Sequence, residues 1–241
     1  MQQVRTLDSN NFVVSAILNR DVDDYRAAIP ALRKANEIAF TKPVTFFIGE
    51  NGSGKSTIVE AIAIAAGFNP EGGSKNFQFE TVRRETEEDR LVRLIRSPKP
   101  PSDGYFLRAE SFFNVATEID RLGVTRGYGG ASLHEQSHGE SFMVLLLNRF
   151  LGDGLYVLDE PEAALSPMRQ LSMLVRLHDL AKWGSQFIIA THSPILMAYP
   201  GATIYQLDER IHEIAYEETE HYTVMRDFMK HREAMLRELF A

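Results

Sequence analysis

Four short segments hold residues whose types and spacing could do chemistry: GENGSGKST at 49–57, HEQSH at 134–138, LYVLDE at 155–160 and QFIIATH at 186–192. The first fits G-x-x-x-x-G-K-[ST] over residues 49–56. Its chemistry would be anion binding. Glycines let successive backbone N–H groups turn inward around a phosphate, where a side chain would obstruct them. A helix starting directly afterwards adds free N–H donors and the positive end of its dipole. Gly49, Glu50, Asn51, Gly52, Ser53 and Gly54 would form the cradle, and Lys55 would neutralise charge on the β- and γ-phosphates of a nucleotide. The Ser56 hydroxyl suits Mg²⁺, and Thr57 can reach the α-phosphate.

The third segment is an apolar run ending in Asp159 and Glu160. A buried strand releases such acids at its carboxyl end, where open α/β sheets bind ligands. Side chains alternate across a strand, so the two acids should not share one job. Asp159 would hold Mg²⁺ through water, and Glu160 would polarise an attacking water as general base.

The second segment reads in two ways. His134-Glu135-Gln136-Ser137-His138 matches HExxH, in which two histidines one helical turn apart bind zinc. That chemistry needs both histidines on one continuous helix, but Gly129 and Gly130 precede the segment closely and Gly139 follows at once. The downstream acids Glu160 and Glu162 already belong to the acidic strand motif. The other reading takes Ser137, His138, Gly139 and Glu140 as a serine–glycine turn touching a nucleotide phosphate, with His134 a surface or hinge residue.

These segments need elements to position them. VTFFIG at 44–49, LYVLDE and QFIIATH read as buried strands, rich in β-branched and aromatic residues. KSTIVEAIAIAAG at 55–67 reads as a helix that Gly67 can end, and ESFMVLLLNRF at 140–150 as a strongly apolar one. RQLSMLVRLHDLAKW at 169–183 and residues 219–240 are further helices, FVVSAIL at 12–18 is a strand, and residues 20–42 hold a loop with a short helix. RLVRLIRS at 90–97 and YFLRAESF at 105–112 flank a turn with three prolines, which predicts an antiparallel hairpin. NVATEIDRL at 114–122 predicts a short helix, and the segments after 201 close the sheet. Strands alternating with helices imply a mostly parallel sheet flanked by helices, with a small antiparallel patch beside it.

LDEPEAALSP at 158–167 resembles the segment of ABC-type ATPases in which the acids precede a proline and a short dimer-contact loop. The resemblance implies that Ala164, Leu165 and Ser166 form that loop, with Ser166 where the family has aspartate. It implies that His192 contacts the γ-phosphate and helps hold the water. Such ATPases bind ATP between two heads, one giving the phosphate loop and the other a serine–glycine turn that caps the γ-phosphate. Ser137 and Gly139 match that turn, in the family's order, with His138 where the family has glycine. Glu110, in YFLRAES, stands nearest the family's glutamine loop toward Mg²⁺, and no glutamine occupies it. Tyr25, 55 − 25 = 30 positions before Lys55, could stack on adenine but reads first as a core or surface tyrosine. The wording is closer to SMC-like and OLD-like heads than to transporter subunits. The 137 − 55 = 82 positions between phosphate loop and signature turn lack heptads, so the resemblance is to a head without a coiled coil.

Composition bounds the rest. The 241 residues suit one ABC-type P-loop ATPase domain over 1–241, with an antiparallel patch about 81–112 and a reduced helical signature region about 113–150. The net charge of −7 disfavours nonspecific nucleic-acid or anionic-membrane binding. The basic stretch Arg83, Arg84, Arg90, Arg93 and Arg96 is interleaved with Glu85, Glu87, Glu88 and Asp89 and reads as a solvated face. No cysteine is present, which excludes disulfides and thiol catalysis and fits the cytoplasm. No run approaches the ~20 apolar residues that span a bilayer, and the polar first residues do not make a signal peptide. The expectation is a soluble ATPase that uses ATP and Mg²⁺ and dimerises with a second copy of itself. It would drive an unidentified protein partner, in a regulatory or nucleic-acid-linked process, with no direct membrane insertion. A transporter nucleotide-binding subunit and an ATP sensor with negligible turnover are the alternatives.

Overall fold

The computed structural model describes residues 11–19, 29–74, 91–108, 117 and 138–241. Strands β1 (Val13–Leu18), β2 (Glu37–Ala39) and β5 (Val92–Arg96) form a three-stranded antiparallel sheet in the order β2-β1-β5. The larger sheet holds β3 (Val44–Gly49), β4 (Gly73–Ser74), β6 (Asp103–Arg108), β7 (Gly154–Asp159), β8 (Gln186–Ala190), β9 (Thr203–Leu207) and β10 (Ile211–Glu213). Its order is β10-β9-β3-β8-β7-β6-β4. The five central strands run parallel, and β10 and β4 are antiparallel edges. The helices are α1 (Pro30–Lys34), α2 (Lys55–Ala66), α3 (His138–Asn148), α4 (Pro167–Lys182) and α5 (Glu220–Leu239). The α/β class, the mostly parallel sheet and the small antiparallel sheet are as the sequence predicts.

Parallel strands covered on both faces must be apolar on both, and β3 shows how one strand serves two cores. Val44, Phe46 and Ile48 face a core with Phe142, Leu145 and Leu146 of α3 and Met173, Leu177 and Leu180 of α4. Phe47, between them, faces a second core with Ile58, Val59 and Ile62 of α2 and with Val13 and Ala16 of the small sheet. The two sheets are also joined by a buried amide. The Gln186 side chain accepts from the Val13 N–H at 2.9 Å and donates to the Val13 carbonyl at 2.9 Å.

The expected hairpin does not form. β5 pairs antiparallel with β1, whereas β6 lies parallel to β7 in the large sheet. Burial explains the difference. Gly104, Tyr105, Phe106 and Leu107 are all buried, which requires a place inside the large sheet, while β5 is largely exposed beyond Val92 and suits an edge. The proline-rich turn therefore carries the chain from one sheet to the other. Residues 37–39, within the stretch expected to be a loop with a short helix, add β2 to the small sheet, and residues 73–74 form an edge strand of the large one. The predicted helix at 114–122 lies outside the described residues except for Thr117.

Candidate functional site

The glycine-rich segment joins β3 to α2, as its strand and helix context requires. Gly49 has φ 147°, and a Cβ there would lie 2.4 Å from the Leu207 carbonyl oxygen. Gly54 caps α2 at φ 98°, where a Cβ would meet Ile29 at 2.8 Å. Both positions need glycine for conformation and for space. Lys55 is 4% exposed and folds back over the loop, donating to the carbonyls of Gly49 at 2.9 Å and Glu50 at 2.8 Å. Ser56 and Thr57 follow in the first turn of α2. An ammonium held on two loop carbonyls stands beside the start of a helix, whose first N–H groups have no partner within the helix.

The other groups arrive from neighbouring strands. Register pairs Phe47 with Ala190 and Asp159 with Ala190, so β3, β8 and β7 end side by side. Asp159 closes β7 and is 7% exposed. Glu160 follows in the left-handed region (φ 50°, ψ 51°), and its N–H donates to the Ala190 carbonyl at 3.0 Å. That conformation costs a residue with a Cβ roughly 1–2 kcal/mol. It places Glu160 Oε1 3.6 Å from Nε2 of His192, just beyond β8. The His192 N–H donates to Glu162 Oε1 at 2.5 Å.

Electrostatics show the same convergence. Burial lowers the Lys55 pKa, opposed by the negative charge of Glu160, Asp159 and Glu162. Burial raises the Glu162 pKa, partly offset by its hydrogen bond from His192. Burial and the Lys55 charge lower the His192 pKa, with Glu160 acting the other way. One lysine, three carboxylates and a histidine therefore share one edge of the sheet.

Of the residues singled out from the sequence, Lys55, Ser56, Asp159, Glu160 and His192 are brought to this edge. Gly139 is placed elsewhere, in the first turn of α3, against the 3-10 turn Pro161–Ala164 and Arg169 of α4. Arg169 also pairs with Glu140 at 3.3 Å. Leu165 is buried in the chain's own core, while Ser166 caps α4 without a side-chain bond and is exposed. Ser137, Glu110, Tyr25 and His134 lie outside the described residues. Among the described residues no group of three or more His, Cys, Asp or Glu could hold a metal. Two further residues join the site without a motif of their own. Glu162 stands in the sequence only as part of an acidic run. His221, whose Nε2 lies 3.3 Å from His192 Nδ1, has no sequence signal.

Comparison with known proteins agrees with this architecture. A family model described as "AAA domain" matches residues 29–115. A second, "AAA domain, putative AbiEii toxin, Type IV TA system", matches residues 125–198. ABC transporter G family member STR2 of Medicago truncatula is 28% identical over 63% of this chain, which spans about a quarter (24%) of that protein's length. A "Putative ABC transporter ATP-binding protein" of Caldanaerobacter subterraneus is 26% identical over 70% of this chain and 77% of its own. The structure of cbiO1 from Clostridium perfringens, part of the ABC transporter complex cbiONQ, superposes with a TM-score of 0.56 and 18% identity, covering 95% of this chain and 99% of that one. No described helix is long and apolar enough to cross a membrane.

Proposed function

Taking as premise that this chain is an ABC/AAA-type ATPase nucleotide-binding domain, by its fold and its family matches, we propose that it binds Mg·ATP and hydrolyses it in a head-to-tail dimer. One observation carries the reading: Lys55, Asp159, Glu160 and His192 meet at the carboxyl edge of β3, β8 and β7. The residues fit the nucleotide. The backbone of 49–54 cradles phosphate oxygens, and Lys55 exchanges its two carbonyl partners for the β- and γ-phosphates. They also fit Mg²⁺, with Ser56 and the largely buried Asp159 as its holders. Bound there, the ion would neutralise charge on the terminal phosphates. Glu160 takes a proton from the attacking water and is fixed for this by its left-handed backbone. His192 holds the terminal phosphate and the water. Positioning and electrostatics carry most of the catalysis in such transfers.

A second copy would cover the nucleotide's outer side with its Ser137 and Gly139. ATP then joins the two copies, because both contact the same phosphates. Phosphate release and light scattering in Mg·ATP test this together. The wild type should release phosphate, and Glu160→Gln should stay dimeric with ATP. A monomeric Glu160→Gln at saturating Mg·ATP sinks the dimer.

The coupled process is a regulatory or nucleic-acid-linked one with a protein partner, on the resemblance to coiled-coil-free SMC-like and OLD-like heads. The names of both curated relatives favour a second reading, a transporter nucleotide-binding subunit. Affinity capture of Glu160→Gln with ATP separates them. Recovery of a membrane protein supports the second, and DNA-stimulated turnover supports the first. Tight ATP binding without phosphate release would make the chain a sensor.

A further inference from the structure

His221 stands in the first turn of α5, and its Nε2 lies 3.3 Å from His192 Nδ1, 29 residues away in the chain. The other nitrogen of His192, Nε2, faces Glu160 Oε1 at 3.6 Å. His192 therefore stands between an imidazole and a carboxylate.

The turn carrying His221 is fixed to the loop carrying His192. Thr219, fully buried, caps α5 by accepting from the Tyr222 N–H at 3.3 Å, and its hydroxyl donates to the Tyr216 carbonyl at 2.7 Å. The Tyr216 hydroxyl in turn donates to the Pro194 carbonyl at 2.9 Å, two residues past His192. These bonds hold the first turn of α5, and with it the His221 backbone, against the loop that carries His192.

A neutral imidazole has one N–H and one lone pair, so a histidine pair can share a proton in two ways. If His192 Nδ1 donates, its Nε2 turns a lone pair toward the carboxylate oxygen, and the two repel. If His221 Nε2 donates, His192 Nε2 carries the hydrogen and is attracted to Glu160. The geometry selects the second arrangement. An orienting partner on one ring nitrogen decides what the other presents to the reaction.

We propose that His221 is a positioning residue for His192: its Nε2–H, donated to His192 Nδ1, fixes the tautomer that presents Nε2–H toward Glu160 and the reacting phosphate. The role in turnover rests on the reading of His192 under Proposed function; the tautomer itself does not. The first turn of the C-terminal helix thereby becomes part of the site.

Long-range ¹⁵N–¹H correlation spectra of the histidine rings test the tautomer in nucleotide-free protein. Wild-type His192 should show protonated Nε2 and bare Nδ1. In His221→Ala this preference should weaken, and kcat for Mg·ATP should fall about tenfold, the lower end of what loss of an orienting partner costs. KM for ATP should stay within about twofold, because the phosphate loop is untouched. His221→Gln, whose amide can donate to Nδ1, should recover much of kcat. A wild type with His192 protonated on Nδ1 overturns the proposal, and so does a His221→Ala variant with unchanged spectrum and kcat. If His221→Ala does not fold, the wild-type spectrum still decides. A wild type that releases no phosphate overturns the hydrolytic reading instead, and leaves the tautomer to the spectrum.

Discussion

Gly139, in the first turn of α3, lies so close to Ala164 that a Cβ on it would sit 2.5 Å from the Ala164 carbonyl oxygen. The same Cβ would sit 2.5 Å from a guanidinium nitrogen of Arg169. The start of the signature helix is therefore packed directly on the turn that follows the acids.

Gly139→Ala should separate these two elements. The Arg169 side chain can move, but the Ala164 backbone cannot move without disturbing Glu160, which caps the same turn four residues earlier. The expected loss is about 1–3 kcal/mol, as for other overpacked sites, read as a lower urea midpoint with unchanged m-value. Unchanged stability would show that the turn yields freely.

Lys55→Ala should abolish ATP binding measured by calorimetry. Charge-assisted bonds are worth ~1.5–3 kcal/mol each, so loss of those to two phosphates should weaken affinity by roughly a hundredfold or more. Unchanged affinity would discredit the phosphate-loop assignment.

Glu160→Gln should slow phosphate release by about 10²–10⁴-fold, the usual contribution of a general base, while ATP binding persists. Wild-type turnover in this variant would move the base elsewhere.

Glu160→Gly should lose the same activity yet gain about 1 kcal/mol of stability. Glycine takes the left-handed φ of 50° without a Cβ penalty, less its own entropy cost. It also removes one carboxylate beside Glu162, whose pKa that charge raises. A drop in melting temperature would show that Glu160 is not strained.

His192 and His221 both have pKa values below the ordinary 6.5, mainly through burial, with the Lys55 charge adding to it. The unfolded chain then binds more protons than the folded one between the depressed values and 6.5. Stability should be full above that range and be lost as pH falls through it. Denaturant titrations from pH 8 to 5 should show this, with a shallower fall in His221→Gln. An equal slope in that variant would contradict the buried pair.

Local pattern carried much of this molecule. Gly49 and Gly54 sit where no Cβ fits, and their spacing to Lys55 announces it. Apolar runs named β3, β7 and β8 because each is buried on both faces, and acids at the end of one run marked the sheet edge where Lys55 and His192 also gather. The pattern at 90–112 predicts a hairpin that does not form, because turn chemistry says where a chain bends, not which sheet its two arms join. Pairing partners are chosen by burial across the whole fold.

The sequence by itself determined the glycine-rich loop between strand and helix, the acidic strand end and the parallel α/β class, since each depends on neighbours within a few residues. Only the tertiary structure decided that Gly139 packs on Ala164, that Glu160 is held left-handed by Ala190, and that His221 meets His192. Those contacts join segments of distant register, and no local period or spacing encodes a meeting that packing alone brings about.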